Sequence, residues 1–545
     1  MKKHYEKMMR DTEKRVSRFL RIQIKDQGKD RGGFYDEKGI VQPKFALYCV
    51  TSAIAVYCNR DSVMYRDPQV YTMICQGLQY ALRWQHENGL FDFITCNFMS
   101  APDTAFCIKR ILPAFRYLEK NRSTKEEESV YQALSTIIER GAKGLVKGGF
   151  HTPNHRWAIA SMLMECGKLF DDESMINRAN DYLKEGIDCN EDGEYAEKSA
   201  GNYNRINNDA MISLGHTTGD KQYFEYAARN LRMMLTYIEP DGNIFTGNST
   251  RWDNGLKIYP SDYYMEYLEM GIELNIPEFL DMANYIFCLA EEKNMDAPDQ
   301  LIHYMNHPQW IETEHEGVWS QTPCSRFYKE SGIARVHNPK FTYTVMKEKT
   351  GFLHLSTKSM ELLMKLGGGY FEHRGFEARS MEQAPDGSFY LEQTMTGWYY
   401  LPFEEKQNTS DWWKMENQKR EKVLGPDLHL QAHIRETEDG LEVCLKVTGV
   451  EKAPFRVEIA VSGADYVRGS QFELKADPGK NMILKEGTAS FINSQESIEI
   501  GPGFGTHRFT AGNFGSEEAS ACGFTVYFTD YTEFEHTFQI HVGQH

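Results

Sequence analysis

The sequence predicts a multidomain fold of helices then strands: an N-terminal α/α toroid of helical hairpins over 1–320 and a C-terminal antiparallel β-sandwich over 321–545. Three observations carry that prediction. A chain of 545 residues is too long for one hydrophobic core. Glycine turns recur through the first part, the last three about 50 residues apart, the length of a helical hairpin with its loops. Beyond about residue 325 the apolar period changes from that of a helix to the alternation of a strand.

The opening stretch "MKKHYEKMMRDTEKRVSRFLRIQIKD" is charged throughout and lacks an apolar segment, so it reads as an amphipathic helix and not as a secretory signal. The turns are "ENGLF" (87–91), "GGF" (148–150), "DGEY" (192–195) and "DGNIF" (241–245). Between them two kinds of helix alternate. "NHRWAIASMLMECGKLF" is apolar on most sides, whereas "SMINRANDYLKEGI" gathers Met175, Ile176, Ala179, Tyr182, Leu183 and Ile187 on one face, and "KQYFEYAARNLRMMLTYI" repeats that one-faced pattern. A helix apolar all round must be covered all round, and a one-faced helix belongs outside. Alternation of the two in hairpins predicts inner helices ringed by outer ones, with an open right-handed solenoid as the alternative. In the second part "FTYTVMKEKTGFLHLSTKS", "LHLQAHIRETEDGLEVCLKVTGV", "FRVEIAVSG" and "GFTVYFTDYTEFEHTFQIHV" alternate and are rich in β-branched and aromatic residues. Turns such as "EDGLE" favour antiparallel pairing. Residues 400–425 break the pattern, as a crossing loop or short helix does.

Composition narrows the partners. With 41% hydrophobic and 26% charged residues this is a folded chain, and no run of 18 apolar residues offers a membrane span. A formal net charge of −17 opposes binding to nucleic acid and to anionic membranes. It leaves room for an anionic sugar at a locally basic site, for which Arg156, Arg205, Arg251, Lys257, Arg374 and Arg379 are available. The 11 cysteines form no CxxC pair, which fits reduced thiols in a cytoplasmic chain, with a trimmed leader as the alternative. Nothing in the sequence sets the oligomeric state.

The inner helices are expected to begin at "PDTAF" (102–106), "TPNHRW" (152–157), "YNRINNDAM" (203–211) and "YPSDYYMEY" (259–267). In the second, Thr152 suits the N-cap and Pro153 the first helical position, which puts Asn154 and His155 in the first turn. Free backbone donors and the positive helix end suit a carboxylate there, and the same field keeps His155 neutral. The plainer reading is that such residues cap the helix. The loop "EDGEYAEKSAGNYNRIN" brings Tyr195, Glu197, Tyr203, Arg205 and then Asn208 to the next helix start, hence to the same rim. "TGNSTRWDNGLKIYPSDYY" adds Arg251, Trp252 and Lys257, an aromatic with cations suited to stacking on a sugar ring and holding its acid group. "GGGYFEHRGFEARSMEQ" offers His373 and Arg374 from the β part, and Trp412 and Trp413 suit either a groove or packing.

Asn-His opening an inner helix, a "DG-x-Y-x-E-x-S" loop with a downstream tyrosine, and a toroid leading into a β-sandwich with a histidine together resemble the heparinase II/III-like polysaccharide lyases, and alginate and oligoalginate lyases of the same architecture. "SGIARVHNPKFTYTVMKEK" (331–349) is similar to the opening of that family's β domain, and the resemblance covers about residues 85–400 in order and layout. Two departures are visible: Asn154 is preceded by proline and not by a second asparagine, and Tyr203 lies one residue further from Ser199 than the family spacing, which makes Tyr195 its substitute.

The resemblance implies β-elimination at a 4-linked uronate of an acidic polysaccharide or oligosaccharide. Asn154, with the helix end and Arg374, neutralises the carboxylate; His155 or His373 takes the C5 proton; Tyr203 protonates the leaving oxygen or serves as both base and acid. Arg156, Tyr195, Glu197, Arg205, Asn208, Arg251, Trp252 and Arg374 are the expected substrate contacts. No metal or organic cofactor is required, while a structural metal in the β part, using His354 or His373, stays open. Three other readings remain: a glycoside hydrolase such as an unsaturated-uronyl hydrolase, using Asp103, Asp209 or Asp262; a non-catalytic carbohydrate-binding protein; and a toroid with no ligand.

Overall fold

The computed structural model describes residues 1–510, 520 and 522–544. They divide into two compact units, Met1–Leu235 with Ser249–Ser320, and Thr236–Asn248 with the chain from Gln321 onward. The first is helical and the second is built of layered, almost wholly antiparallel sheets, which is the fold class expected from the sequence.

In the first unit the helices are α1 (Lys2–Ile22), α2 (Pro43–Cys58), α3 (Pro68–Trp84), α4 (Ala101–Asn121), α5 (Lys125–Lys147) and α6 (Pro153–Phe170). They continue with α7 (Glu173–Leu183), α8 (Tyr203–Thr218), α9 (Gln222–Leu235), α10 (Tyr264–Glu273), α11 (Pro277–Glu292) and the short α12 (Leu301–Asn306). Antiparallel hairpins pair α2 with α3, α4 with α5, α6 with α7, α8 with α9 and α10 with α11. The first member of each hairpin packs against the first member of the next, forming an inner row. Composition explains the placement. The inner helix α6 buries an unbroken run from Trp157 to Met164, while the outer helix α7 buries only Met175, Ala179 and Tyr182. Each such apolar side chain removed from water contributes about 1.5–3 kcal/mol, so a helix greasy all round is stable only inside the ring.

The N-terminal helix and α12, which packs on α2 and α4, close this ring. His4 stacks on Phe287 of α11 with centroids 3.8 Å apart, and its Nδ1 lies 2.8 Å from the Tyr264 hydroxyl of α10. Further along α1, Arg15 pairs with Asp299 at 2.5 Å and Arg18 with Asp296 at 3.0 Å.

The glycine repeat has a common structure. At Glu87–Gly89, the His86 N–H bonds to the Leu90 carbonyl (3.0 Å) and the Gly89 N–H to the His86 carbonyl (2.9 Å). The same pair of bonds recurs at Asn190 with Gly193 and at Glu239 with Gly242. A copy missed in the sequence sits at Asp36 with Gly39, and the "GGF" at 148 instead ends α5. In all four copies the glycine has positive φ, from +75° to +98°, which an L side chain rarely adopts.

The second unit has two sheets that share one core, because inward residues of both, such as Leu353 and Val457 of one and Leu430 and Ile540 of the other, belong to a single buried cluster. The first sheet runs, edge to edge, Asn481–Ile483, Phe524–Tyr531, Pro454–Ser462, Glu361–Gly367, Gly351–Ser356, Thr342–Met346, Ile333–His337 and Cys324–Tyr328. Its first pair is parallel and the rest are antiparallel. The second runs Phe472–Lys475, Tyr466–Gly469, Ala489–Ile492, Glu496–Gly501, Phe534–Gln544, Gly440–Thr448, Lys422–Thr437, Phe389–Tyr400 and Ser380–Gln383. The "EDGLE" turn is the two-residue hairpin it resembles, with Thr437 opposite Gly440. Residues 401–421 link two paired strands and contain short 3-10 turns at Trp412–Lys414 and Asn417–Lys419. Among the described residues, no helix is long and apolar enough to cross a membrane.

Candidate active site

Helix α6 begins as its sequence dictates, with Thr152 as extended N-cap, Pro153 first, and Asn154 and His155 in the first turn. The helix end does hold a carboxylate, but it is the protein's own. Glu197 accepts the backbone N–H of Asn154 at 3.0 Å and its side-chain Nδ2 at 2.8 and 3.0 Å. Nδ2 also reaches the Thr152 hydroxyl at 3.3 Å. Asn154 is fully buried with both amide hydrogens engaged, which corrects its expected role as the neutraliser of a substrate carboxylate.

His155 is half-buried, edge-on to Phe106 (centroids 6.0 Å apart) and His151 (4.8 Å). Burial, followed by the neighbouring His151, pushes its pKa down to about 4; Lys44 and Arg251 act in the same direction and Asp103 opposes them. The imidazole is therefore neutral near pH 7, and among the described residues its Nδ1 has no hydrogen-bond partner.

The loop after α7 supplies the next group. Lys198 takes a left-handed φ of +50°, so Glu197 and Ser199 both turn inward around it. Burial raises the Glu197 carboxyl above its ordinary value, against the opposing pull of Asn154 and Arg251. Arg251 Nε lies 3.3 Å from Glu197 Oε1, and its guanidinium sits over the Tyr203 ring, 5.2 Å from the centroid. Tyr203 is the first residue of α8 and half-buried. Asn154, Glu197, Arg251 and Tyr203 thus form one connected cluster, with His155 beside it.

Other expected contacts lie elsewhere. Tyr195 is fully buried and donates to Asn208 Oδ1 at 3.1 Å, and Asn208, also fully buried, donates to Asn230 (2.9 Å) and Glu266 (3.0 Å). Burial raises the Tyr195 phenol far above its ordinary pKa. Both are corrected from substrate contacts to internal ties of α8, because neither presents surface to a ligand. Arg156 pairs with Glu185 at 2.6 Å and lies over Trp157, and Arg205 pairs with Asp262 at 3.0 Å. Trp252 is 60% exposed in the loop that carries Arg251. His373 and Arg374 stand on the second unit in the turn closed by the Tyr370–His373 bonds, the histidine half-buried and the arginine exposed.

Lys44 escaped the sequence reading. It is the second residue of α2, lies over the Phe93 and Phe106 rings at 4.8 and 4.9 Å, and pairs with Asp103 at 3.0 Å. A signal existed: "QPKF" has the same first-turn proline as "TPNHRW" and marks another inner-helix start. Burial alone would raise the Asp103 carboxyl, but Lys44, Ser100 and Asn97 hold it below its ordinary value. Among the described residues, no group of three or more His, Cys, Asp or Glu is placed to hold a metal ion.

No family model matches the sequence, and no curated protein sequence matches it detectably. Solved structures do match in three dimensions. A xanthan lyase from Paenibacillus is similar over 99% of this chain at 10% identity and a TM-score of 0.56. The chondroitin AC lyase of Streptomyces coelicolor A3, solved with chondroitin sulphate, is similar over 99% at 10% identity and a TM-score of 0.54. A heparan sulfate lyase mutant from Pedobacter heparinus is similar over 98% at 11% identity and a TM-score of 0.53. The chain spans 56% of the xanthan lyase, and 79% and 83% of the other two. It has the fold of these polysaccharide lyases, a helical toroid followed by layered β-sheets.

Proposed function

We propose that this chain is a polysaccharide lyase that cleaves a 4-linked uronate in an acidic glycan by β-elimination, at the cluster of His155, Tyr203 and Arg251. The observation that carries the reading is the company kept by these groups: a neutral imidazole, a phenol, and one guanidinium facing both that phenol and a buried carboxylate. Elimination needs those three functions. The C5 proton of a uronate is weakly acidic until its carboxylate is neutralised, and the O4 leaving group needs a proton. In this division of roles Arg251 meets the substrate carboxylate, His155 takes the C5 proton, and Tyr203 protonates O4. The C5–H and C4–O4 bonds break and a C4–C5 double bond forms. The imidazolium and phenolate left behind exchange their proton through solvent. Asn154 acts at one remove by holding Glu197, and Glu197 holds Arg251. The exposed Trp252 offers a face to a sugar ring. The reading calls for no metal or organic cofactor.

A hydrolase needs a carboxylic acid that keeps its proton, and the three aspartates at inner-helix starts do not offer one. Asp103 is held ionised, while Asp209 and Asp262 are paired with Lys109 and Arg205. The test is ultraviolet absorbance of the C4–C5 unsaturated product, with wild type, Tyr203→Phe, His155→Ala and His373→Ala screened on uronate polysaccharides and their short oligomers. We expect absorbance to rise with wild type and to fall at least about 100-fold with Tyr203→Phe and with His155→Ala. Loss with His373→Ala alone moves the base to the second unit. New reducing ends without absorbance mean hydrolysis and end the lyase reading.

A further inference from the structure

The pairing of Tyr203 with Arg251 joins two loops far apart in sequence, and one buried side chain connects them. Asp253 is fully buried. Its Oδ1 accepts the hydroxyls of Ser199 (2.9 Å) and Ser249 (2.6 Å), and its Oδ2 accepts the Gly201 N–H (3.0 Å). Each serine oxygen in turn accepts one amide. Ser199 takes the N–H of Tyr203 and Ser249 takes the N–H of Arg251, both at 3.1 Å. A hydroxyl has one hydrogen, so a serine that donates to Asp253 has only lone pairs left for the amide. One carboxylate therefore fixes both serines as acceptors toward the backbone of the two residues that meet above the Tyr203 ring. Thr250 strengthens the same junction, its hydroxyl donating to the Glu197 carbonyl at 2.9 Å.

We propose that Asp253 is the positioning residue of the site, setting the Arg251 guanidinium over the Tyr203 phenol through Ser199 and Ser249. This rests on the lyase reading for its catalytic consequence but not for its geometry. Asp253 is too buried to meet substrate, so its loss acts only through the placement of Arg251 and Tyr203. In Asp253→Asn the new NH2 faces either the Gly201 N–H, a donor against a donor, or the serine oxygens, whose hydroxyl hydrogens then lose their buried acceptor. A misplacement of about 1 Å between reacting groups can cost about 100-fold in rate.

The experiment places fluorotyrosine at position 203 of the full chain and records its fluorine NMR signal in the parent, Asp253→Asn, Ser199→Ala and Ser249→Ala, beside kcat and KM for each. The expected result is a displaced fluorine resonance in Asp253→Asn, smaller displacements in both serine variants, and a fall in kcat/KM of about 10- to 100-fold carried at least in part by kcat. An unmoved resonance overturns the proposal, as does a fall in kcat that merely follows loss of folded protein on thermal melting. Should Asp253→Asn not fold, the two serine variants carry the same test. The NMR arm needs no substrate, so it decides the positioning role even if uronate glycans prove not to be substrates.

Discussion

Burial sets the protonation state of His155. An exposed imidazole loses half its basic form near 6.5, whereas His155 keeps its neutral form down to about 4. If it takes the C5 proton, kcat/KM should hold as the pH falls through 6 and 5 and decline only near 4, measured as initial rates. A decline centred near 6.5 assigns the base elsewhere. The sign for stability is opposite in sense. Between about 4 and 6.5 the unfolded chain binds a proton that folded His155 refuses, so stability is lost as the pH is lowered through that window. How much of the site the sequence revealed depends on the kind of signal. His155 and Tyr203 were legible because each stands in the first turn of an inner helix, a position marked by proline or by a preceding loop motif. Spacing does not distinguish Tyr195 from Tyr203, whereas burial does: Tyr195 is fully buried and Tyr203 half-buried. The commitments of Asn154 to Glu197, 43 residues away, and of Asp253 to Ser199, 54 residues away, are long-range bonds that no periodicity records.

Among the elements, α1 has the most to do for its place in the chain. Alternation of all-round and one-faced apolar helices was legible and predicted hairpins. Ring closure was not, since a solenoid has the same pattern and differs only in whether the first and last hairpins meet. They meet through α1 and through α12, which packs on α2 and α4, and His4 is a contact of α1 that a single substitution removes. It is buried between Phe287 and Tyr264, and burial pushes its pKa down to about 3. His4→Ala removes a stacked ring and one of the two hydrogen-bond partners of the Tyr264 hydroxyl, the other being Tyr304, and should cost about 2–4 kcal/mol, read as a lowered denaturation midpoint of the helical unit. Ring closure makes the loss felt far from the N-terminus, so amide exchange should quicken in α11 as well as in α1. Exchange confined to α1 means that the helix merely leans on a ring already closed without it.

For the whole molecule, the boundary between the units is not a point on the chain. Residues 236–248 contain the last copy of the glycine turn that punctuates the helical part, so by sequence they read as helical-unit loop, yet they pack with the sheets. The tie is Arg335, a fully buried guanidinium on the strand Ile333–His337. It donates to the Thr236 carbonyl at 2.9 Å and to Glu239 at 2.6 Å, and His337 Nε2 meets the same Thr236 carbonyl at 2.8 Å. A chain begun at residue 321 keeps Arg335 but loses Thr236 and Glu239. Stranding one member of a buried ion pair costs about 3–5 kcal/mol, a large share of what holds a domain together. The fragment 321–545 should therefore be poorly soluble or melt without cooperativity. The same fragment with residues 236–248 joined to its N-terminus through a flexible linker should recover a cooperative transition, and lose part of it again with Glu239→Gln. If 321–545 alone melts as sharply as the full chain, the helical-looking turn is a passenger on the sheets and Arg335 finds its counter-charge another way.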